Sequence, residues 1–458
     1  MFESKTYVER RKKIKEILKS GLVLFPGNKE ISINYFTVYR QDTNFLYYWG
    51  HDTPDLWAII DIDNDKEILF GDDRSVSDVV WMGPDSTMKE KAELVGTSTL
   101  PLNKITEIIS DAKNKGQKIH FLPQVDNGHK IHLEELLGIP SMQINDNISV
   151  DMIKAVVSQR AIKSIEEVEQ INHAANISYV MNTFAMRNTK PGLYEKDVRG
   201  AIEGIALSQG SGISFPMIFS IRGETLHNNS HENLMQAGDL AVLDSGAESP
   251  LHYASDITRT FPVNGKFTSE QKDIYSIVLN AEITAMEMMK PGISYRDCHL
   301  KAANVIAEGL TDLGLMKGNP SEAVEAGAHA LFFPHGLGHM LGLDVHDMEP
   351  LGEDYVGYDE VTKRSEQFGL AYLRMGRVLQ TGFVMTVEPG IYFIPQLISN
   401  WKAENKHADF INYELAEKYI GFGGVRIEDD VLITKDGYQL LGKAIPKTVE
   451  EVEETCNS

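Results

Sequence analysis

The chain has 458 residues, 42% hydrophobic and 24% charged, an ordinary globular composition that is too long for one core. A formal net charge of −22 repels a phosphate backbone, so nucleic acid is excluded as an expected partner. No apolar run reaches the roughly eighteen residues of a membrane helix, and two cysteines, Cys298 and Cys456, make neither a disulfide framework nor a cysteine zinc site.

The first expected element is an amphipathic helix near the N-terminus, with Tyr7, Ile14, Ile17 and Leu18 on its apolar side and a basic outer face. It lacks the apolar stretch of a secretory signal, so a cytoplasmic location is expected. "GLVLFPG", "LWAIIDID" and "KEILFG" read as strands. "PLNKITEIISDAKNKG" reads as a helix closed by Gly116, and "QKIHFLP" as the strand after it. Short apolar runs alternating with helices indicate an α/β domain, placed at 1–157.

From 158 the texture changes. "SIEEVEQINHAANISYVMNTFAMRNTKPG" opens on a capping box, Ser164 with Glu167, and stops before Pro191. "EKDVRGAIEGIALSQG", "SEQKDIYSIVLNAEITAMEMMKPG" and "SYRDCHLKAANVIAEGLTDLG" are three further helices. Two of the four end on the same "KPG", a hint of internal duplication. Strands lie between the helix pairs, which argues an α+β domain over 158–458. The polar stretches 350–380 and 394–420 read as surface insertions.

"DLAVLDSGAESPLHYASDITRTFPV" holds two strands around a Ser249-Pro250 turn. Pairing centred on residue 250 sets Asp244 opposite Asp256, on one face of the hairpin. Two carboxylates inside apolar strands are costly unless a cation lies between them. Glu388 in "VMTVEPGIYF" and Glu428 in "GGVRIEDDVLIT" repeat the oddity. Four carboxylates with one imidazole would make a mostly oxygen site, suited to a pair of Mn²⁺, Co²⁺ or Zn²⁺ ions. "HGLGHMLGLDVHD" offers His335, His339 and His346, and spacing alone does not choose among them. Gly336 stands where a zincin motif needs its glutamate, which discards that class. Gly336, Gly338 and Gly342 would let the backbone pass close to a crowded site.

Taken together, "DSGAESPLHYASDITRTFPVNGKFT", "HGLGHMLGLDVHD", "TVEPGIYF" and "GFGGVRIEDDV" resemble the pita-bread Xaa-Pro metallopeptidases, aminopeptidase P and prolidase. "RQDTNFLYYWG" and "VWMG" resemble that family's N-terminal domain. The resemblance implies an α/β N-terminal domain followed by an α+β pita-bread catalytic domain. It implies a two-metal site of Asp244, Asp256, His339, Glu388 and Glu428, most simply with manganese and with Asp256 and Glu428 bridging. It further implies Glu388 as proton shuttle and His227, His335 and His346 as substrate-side donors. Arg426 would orient the carboxylates or meet the substrate's carboxylate, and Tyr392 would lie beside the site. The implied substrate is a proline-containing peptide, and the family is often a homodimer or homotetramer. The hairpin between the aspartates is one residue longer than the family pattern, and "NNSHEN" replaces a more usual aromatic after His227, with His231 expected on an exposed loop.

Two activities compete within the class: release of the N-terminal residue from longer peptides, and splitting of Xaa-Pro dipeptides alone. More remote are a creatinase-like amidinohydrolase and a non-catalytic binding protein, both of which would have lost carboxylates that are present here.

Overall fold

The structure is a computed structural model that describes residues 1–30 and 39–458. It divides into two compact units, 1–160 with 349–355, and 161–348 with 356–458.

The first unit is built on a five-stranded sheet, in the order Ser98–Leu100, Lys66–Phe70, Trp57–Asp61, Leu22–Pro26, Ile119–His120. Its central strands are antiparallel and its two edge pairings are parallel. Every residue of Leu22–Pro26 and Trp57–Asp61 is buried, because both faces of the sheet are covered. That is why these strands read as continuous apolar runs rather than alternations. The expected strand "QKIHFLP" shortens to Ile119–His120.

The helix Ser4–Leu18 forms, but its basic residues do not all face outward. Tyr7, Arg10, Arg11 and Ile14 share the three-to-four residue spacing of one helical face, and all four are buried, while Ile17 is 45% exposed. Arg11 is fully buried because its donors are matched. Its guanidinium donates to Glu67 Oε2 at 2.6 Å, to the Tyr48 carbonyl at 3.0 Å and to the Val95 carbonyl at 2.6 Å. Arg11→Met leaves two buried carbonyls without their donor and Glu67 with only Lys15, at 2.9 Å, so urea unfolding of this unit should show a loss of about 2–4 kcal/mol. A loss below about 1 kcal/mol, the worth of an exposed pair, would show that the guanidinium is dispensable.

The second unit contains the four expected helices, Ile165–Asn188, Glu195–Gln209, Ser269–Met288 and Tyr295–Asp312. The first opens on the Ser164–Glu167 capping box, and the third on an equivalent box from Thr268 and Gln271. The two "KPG" corners are built alike. Gly192 (φ 93°) and Gly292 (φ 92°) both turn in the left-handed region that favours glycine. Their amides donate to Met235 O and Leu379 O, at 2.9 and 3.1 Å, and each corner then enters a helix through an isolated antiparallel bridge.

Between the helices lie small antiparallel sheets. Leu240–Ser245 pairs with Ile257–Pro262 and Ile218–Ser220. Asp429–Ile433 pairs with Val384–Val387 and Tyr438–Leu440, and Gly390–Tyr392 pairs with Gly424–Arg426. The stretches expected to be surface insertions are partly structural. Within 394–420, the helix Pro395–Ala403 buries Ile398 and Trp401, and within 350–380 Tyr358, Leu370, Leu373 and Met375 are buried. Cys298 and Cys456 are buried free thiols. Among the described residues, no helix is long and apolar enough to cross a membrane.

Candidate metal centre and its cavity

Asp244 and Asp256 do share a face, by a different register from the expected one. Asp244 lies opposite Thr258, and Asp256 stands one residue before the strand Ile257–Pro262. The shift is two residues, so side-chain parity is kept. The cause is that 246–255 is not a tight hairpin. Ala247–Glu248 leaves to pair with Gly212–Ile213, and His252 takes a left-handed φ of 65° within the loop.

Among the three histidines of "HGLGHMLGLDVHD", the hydrogen bonds separate two. His339 Nδ1 lies 3.0 Å from the Met340 carbonyl, which can only accept, so Nδ1 carries the proton. Its Nε2 lone pair then faces Asp256 Oδ2 at 3.3 Å and Glu388 Oε1 at 3.8 Å. Ligand atoms of Asp256, His339 and Glu428 all lie within 4.8 Å of one another. His335 is placed differently. Its Nδ1 donates to the Gly336 carbonyl at 2.8 Å, and its Nε2 accepts from the Tyr392 hydroxyl at 2.9 Å. That hydroxyl accepts from Arg426 Nη1 at 2.8 Å, and Arg426 Nη2 donates to Asp244 Oδ2 at 2.5 Å. His335, Tyr392, Arg426 and Asp244 thus form one hydrogen-bonded line. The His346 ring stands edge-on to that of His339, 4.3 Å between centroids, and lines the same cavity as His227.

The charge state of this cluster fits a cation. Asp244 Oδ1, Asp256 Oδ1 and Glu428 Oε1 are buried without a hydrogen-bond partner. Burial first, and neighbouring carboxylates second, push Asp256 and Glu428 well above the usual carboxylate range. Burial raises Glu388 to about 8, against the pull of Arg426. Asp256, Glu388 and Glu428 at one imidazole lone pair, with Asp244 lining the same cavity and three oxygens unmet, make a donor set suited to a hard or borderline divalent ion.

Several residues at the site were not singled out in the sequence. Thr258 Oγ1 donates to Glu428 Oε2 at 2.7 Å, and Asp430 accepts the Asp256 amide at 3.0 Å. Thr386 Oγ1 accepts the His339 amide at 3.1 Å. Their only sequence signal is polarity within strands, in "SDITRT", "VMTVE" and "IEDDV". Side chains from both supposed insertions, Phe368, Tyr372 and Arg374 in one and Gln396, Leu397 and Asn400 in the other, line the cavity, whose volume is about 860 Å³. His231 is not on an exposed loop. It is buried, with Nδ1 3.0 Å from the Phe219 carbonyl, which gives the ring a structural partner.

The glycines give clearance to the backbone around the centre rather than to the cluster itself. A methyl group at Gly338 would collide with Thr386 O and the Tyr295 hydroxyl, and one at Gly342 with the Asp347 carboxylate.

Residues 169–435 match the metallopeptidase family M24, and residues 7–120 match the aminopeptidase P N-terminal domain. A human protein named Xaa-Pro dipeptidase is 33% identical across 97% of this chain and 90% of its own length. A probable Xaa-Pro aminopeptidase of Botryotinia fuckeliana is 34% identical across 98% of this chain and 96% of its own. The structure of Escherichia coli aminopeptidase P with the inhibitor Pro-Leu superposes with a TM-score of 0.81, at 29% identity, over 100% of this chain and 98% of that one.

Proposed function

Since the chain belongs to metallopeptidase family M24, we propose that it hydrolyses the peptide bond before proline and releases the N-terminal residue from peptides longer than two residues. The unmet carboxylate oxygens around His339 are the observation that carries this reading. Asp244, Asp256, His339, Glu388 and Glu428 would hold two divalent ions, with Asp256 and Glu428 shared. The oxygen-rich set favours Mn²⁺, with Co²⁺ or Zn²⁺ as alternatives. When bound, such ions make a water nucleophilic at neutral pH and neutralise charge developing on the scissile carbonyl.

The remaining work falls to the chain's own groups. With ions bound Glu388 would be an ionised ligand, and, being partly open to the cavity, it would take the proton that the attacking water gives up and pass it to the leaving proline nitrogen. That nitrogen needs one, because the scissile bond is a tertiary amide with no N–H. Burial, then the Arg426 charge, lower the His227 pKa, so its neutral ring can donate one N–H to the substrate carbonyl. His346 faces the same space. His335 acts through Tyr392 and Arg426 on Asp244. The same reading takes 1–157 as the N-terminal domain and 158–458 as the catalytic domain, in a cytoplasmic homodimer or homotetramer.

The cavity is large for a dipeptide, which favours the aminopeptidase. A prolidase reading is favoured by one residue: Arg374 lines the cavity, and a cationic side chain there suits the free carboxylate of a C-terminal proline. Comparing Gly-Pro with an Xaa-Pro-Pro tripeptide separates the two. We expect metal-dependent turnover of the tripeptide, and Arg374→Met to cut kcat/KM for Gly-Pro by about tenfold or more while sparing the tripeptide. Turnover confined to Gly-Pro would remove the aminopeptidase reading.

A further inference from the structure

The geometry points to Arg259 as the positioning residue that fixes the spacing between Asp256 and Glu428. The inference rests on the two-ion reading above, in which these carboxylates are shared.

Each carboxylate stands one residue before a strand, Asp256 before Ile257–Pro262 and Glu428 before Asp429–Ile433. Those strands belong to different sheets, so no ladder of sheet hydrogen bonds sets the distance between them. Two shared ligands must nonetheless be held at a constant separation, because coordination tolerates only a few tenths of an ångström.

The Asp256 amide bonds Asp430 and Thr260 bonds the Arg426 backbone across the same seam, but the backbone of Glu428 itself is joined at Thr258 and Arg259. The Glu428 amide donates to the Thr258 carbonyl at 3.0 Å. Arg259 is fully buried, and its fork closes over this joint. Nη1 donates to Thr258 O at 2.9 Å and to Glu428 O at 2.7 Å, tying the two backbones together directly. Nη2 donates to Asp429 Oδ1 at 2.6 Å and Ile445 O at 3.2 Å, and Nε to Pro446 O at 3.1 Å. All five guanidinium donors are used, in a planar arrangement a lysine cannot copy. Behind it, Lys447 donates to Asp429 Oδ2 at 2.6 Å and Glu282 Oε2 at 2.8 Å, so each acid of the buried cluster meets a cation. Lys447 supports the cluster without touching either backbone at the joint.

The test is calorimetric titration of the metal-free full chain with Mn²⁺, beside its melting temperature. Wild type should bind two ions. Arg259→Lys keeps the charge beside Asp429 but loses the fork, and should weaken the more loosely held ion by about 10–100-fold. Lys447→Met should lower the melting temperature yet leave both affinities within about twofold, since it removes cluster stability without disturbing the joint. If Arg259→Lys does not fold, Arg259→Gln combined with Asp429→Asn removes one charge of each sign, leaves Lys447 with Glu282, and should weaken the same ion. Wild-type affinity for both ions in a folded Arg259 variant would overturn the inference, as would equal weakening by Lys447→Met. Fewer than two ions on wild type would instead remove the two-ion reading, and the clamp with it.

Discussion

Asp256→Asn is expected to reduce kcat/KM by at least about 10³-fold while making the metal-free chain more heat-stable at neutral pH. The two effects share one cause. Asp256 is buried among Asp244, Asp430 and Glu388, and burial with those like charges raises its pKa far above that of an unfolded aspartate. Glu428 and Glu388 are raised for the same reasons, Glu388 to about 8. A carboxyl whose pKa is higher folded than unfolded contributes stability that is complete below its unfolded value, about 4, and is lost as pH climbs through the folded value. The metal-free chain should therefore lose melting temperature between about pH 4 and pH 8. The asparagine of the variant cannot ionise, and its amide can donate to the His339 Nε2 lone pair that Asp256 Oδ2 faces at 3.3 Å. The variant should lose less stability over that window. Loaded wild type should resist the fall, because ions replace protons on these oxygens and bind more tightly as pH rises. Melting curves at pH 5 and pH 8, with and without Mn²⁺, check the sign. If Asp256→Asn melts below wild type at pH 8 without metal, the repulsion argument is refuted; if it keeps both ions, the role of Asp256 is refuted.

The acids of the centre were visible in the sequence because a carboxylate inside an apolar strand is costly to bury without a cation beside it. Glu388 and Glu428 needed no register to be noticed, whereas Asp244 was singled out by its pairing with Asp256. Register itself was not visible, because it depends on where 247–248 finds its partner, a long-range pairing with 212–213 that local pattern does not encode. The same limit hid the supports. Thr258, Arg259 and Asp430 look like ordinary strand residues until the chain folds some 170 positions onto itself and brings them to Glu428 and Asp256. Arg11 misled for a related reason: a charged residue is read as outward unless its partners are known, and Tyr48 and Val95 lie far along the chain. Helix starts were legible because a capping box is local, spanning Ser164 to Glu167. The stretches 350–380 and 394–420 were read as surface from their polarity. Their few apolar residues, Trp401 and Leu373 among them, are enough to seat them at the cavity wall.

His339→Ala and His335→Ala should fail in different ways although the residues stand four apart in one glycine-rich stretch. His339 presents an unprotonated Nε2 to Asp256 and Glu388, its Nδ1 proton being fixed on Met340 O. Removing it deletes the one neutral donor among acids, and metal affinity should fall by about 100-fold or more, with activity following occupancy and partly restored by high Mn²⁺. His335 has no nitrogen left for an ion, since Gly336 O and the Tyr392 hydroxyl use both. Its loss should leave two ions bound. Tyr392 would lose the acceptor of its proton, and the line through Arg426 to Asp244 would slacken, lowering kcat by about 10²–10³-fold at saturating metal. Burial, then the Arg426 charge, hold His335 near 3, so its removal should not erase a kinetic ionisation between pH 5 and 8. Metal content by elemental analysis, with kcat measured across a Mn²⁺ titration, distinguishes the two variants. If His335→Ala strips metal as thoroughly as His339→Ala, the hydrogen-bonded line is not what holds His335 away from the ions, and this division between them is wrong.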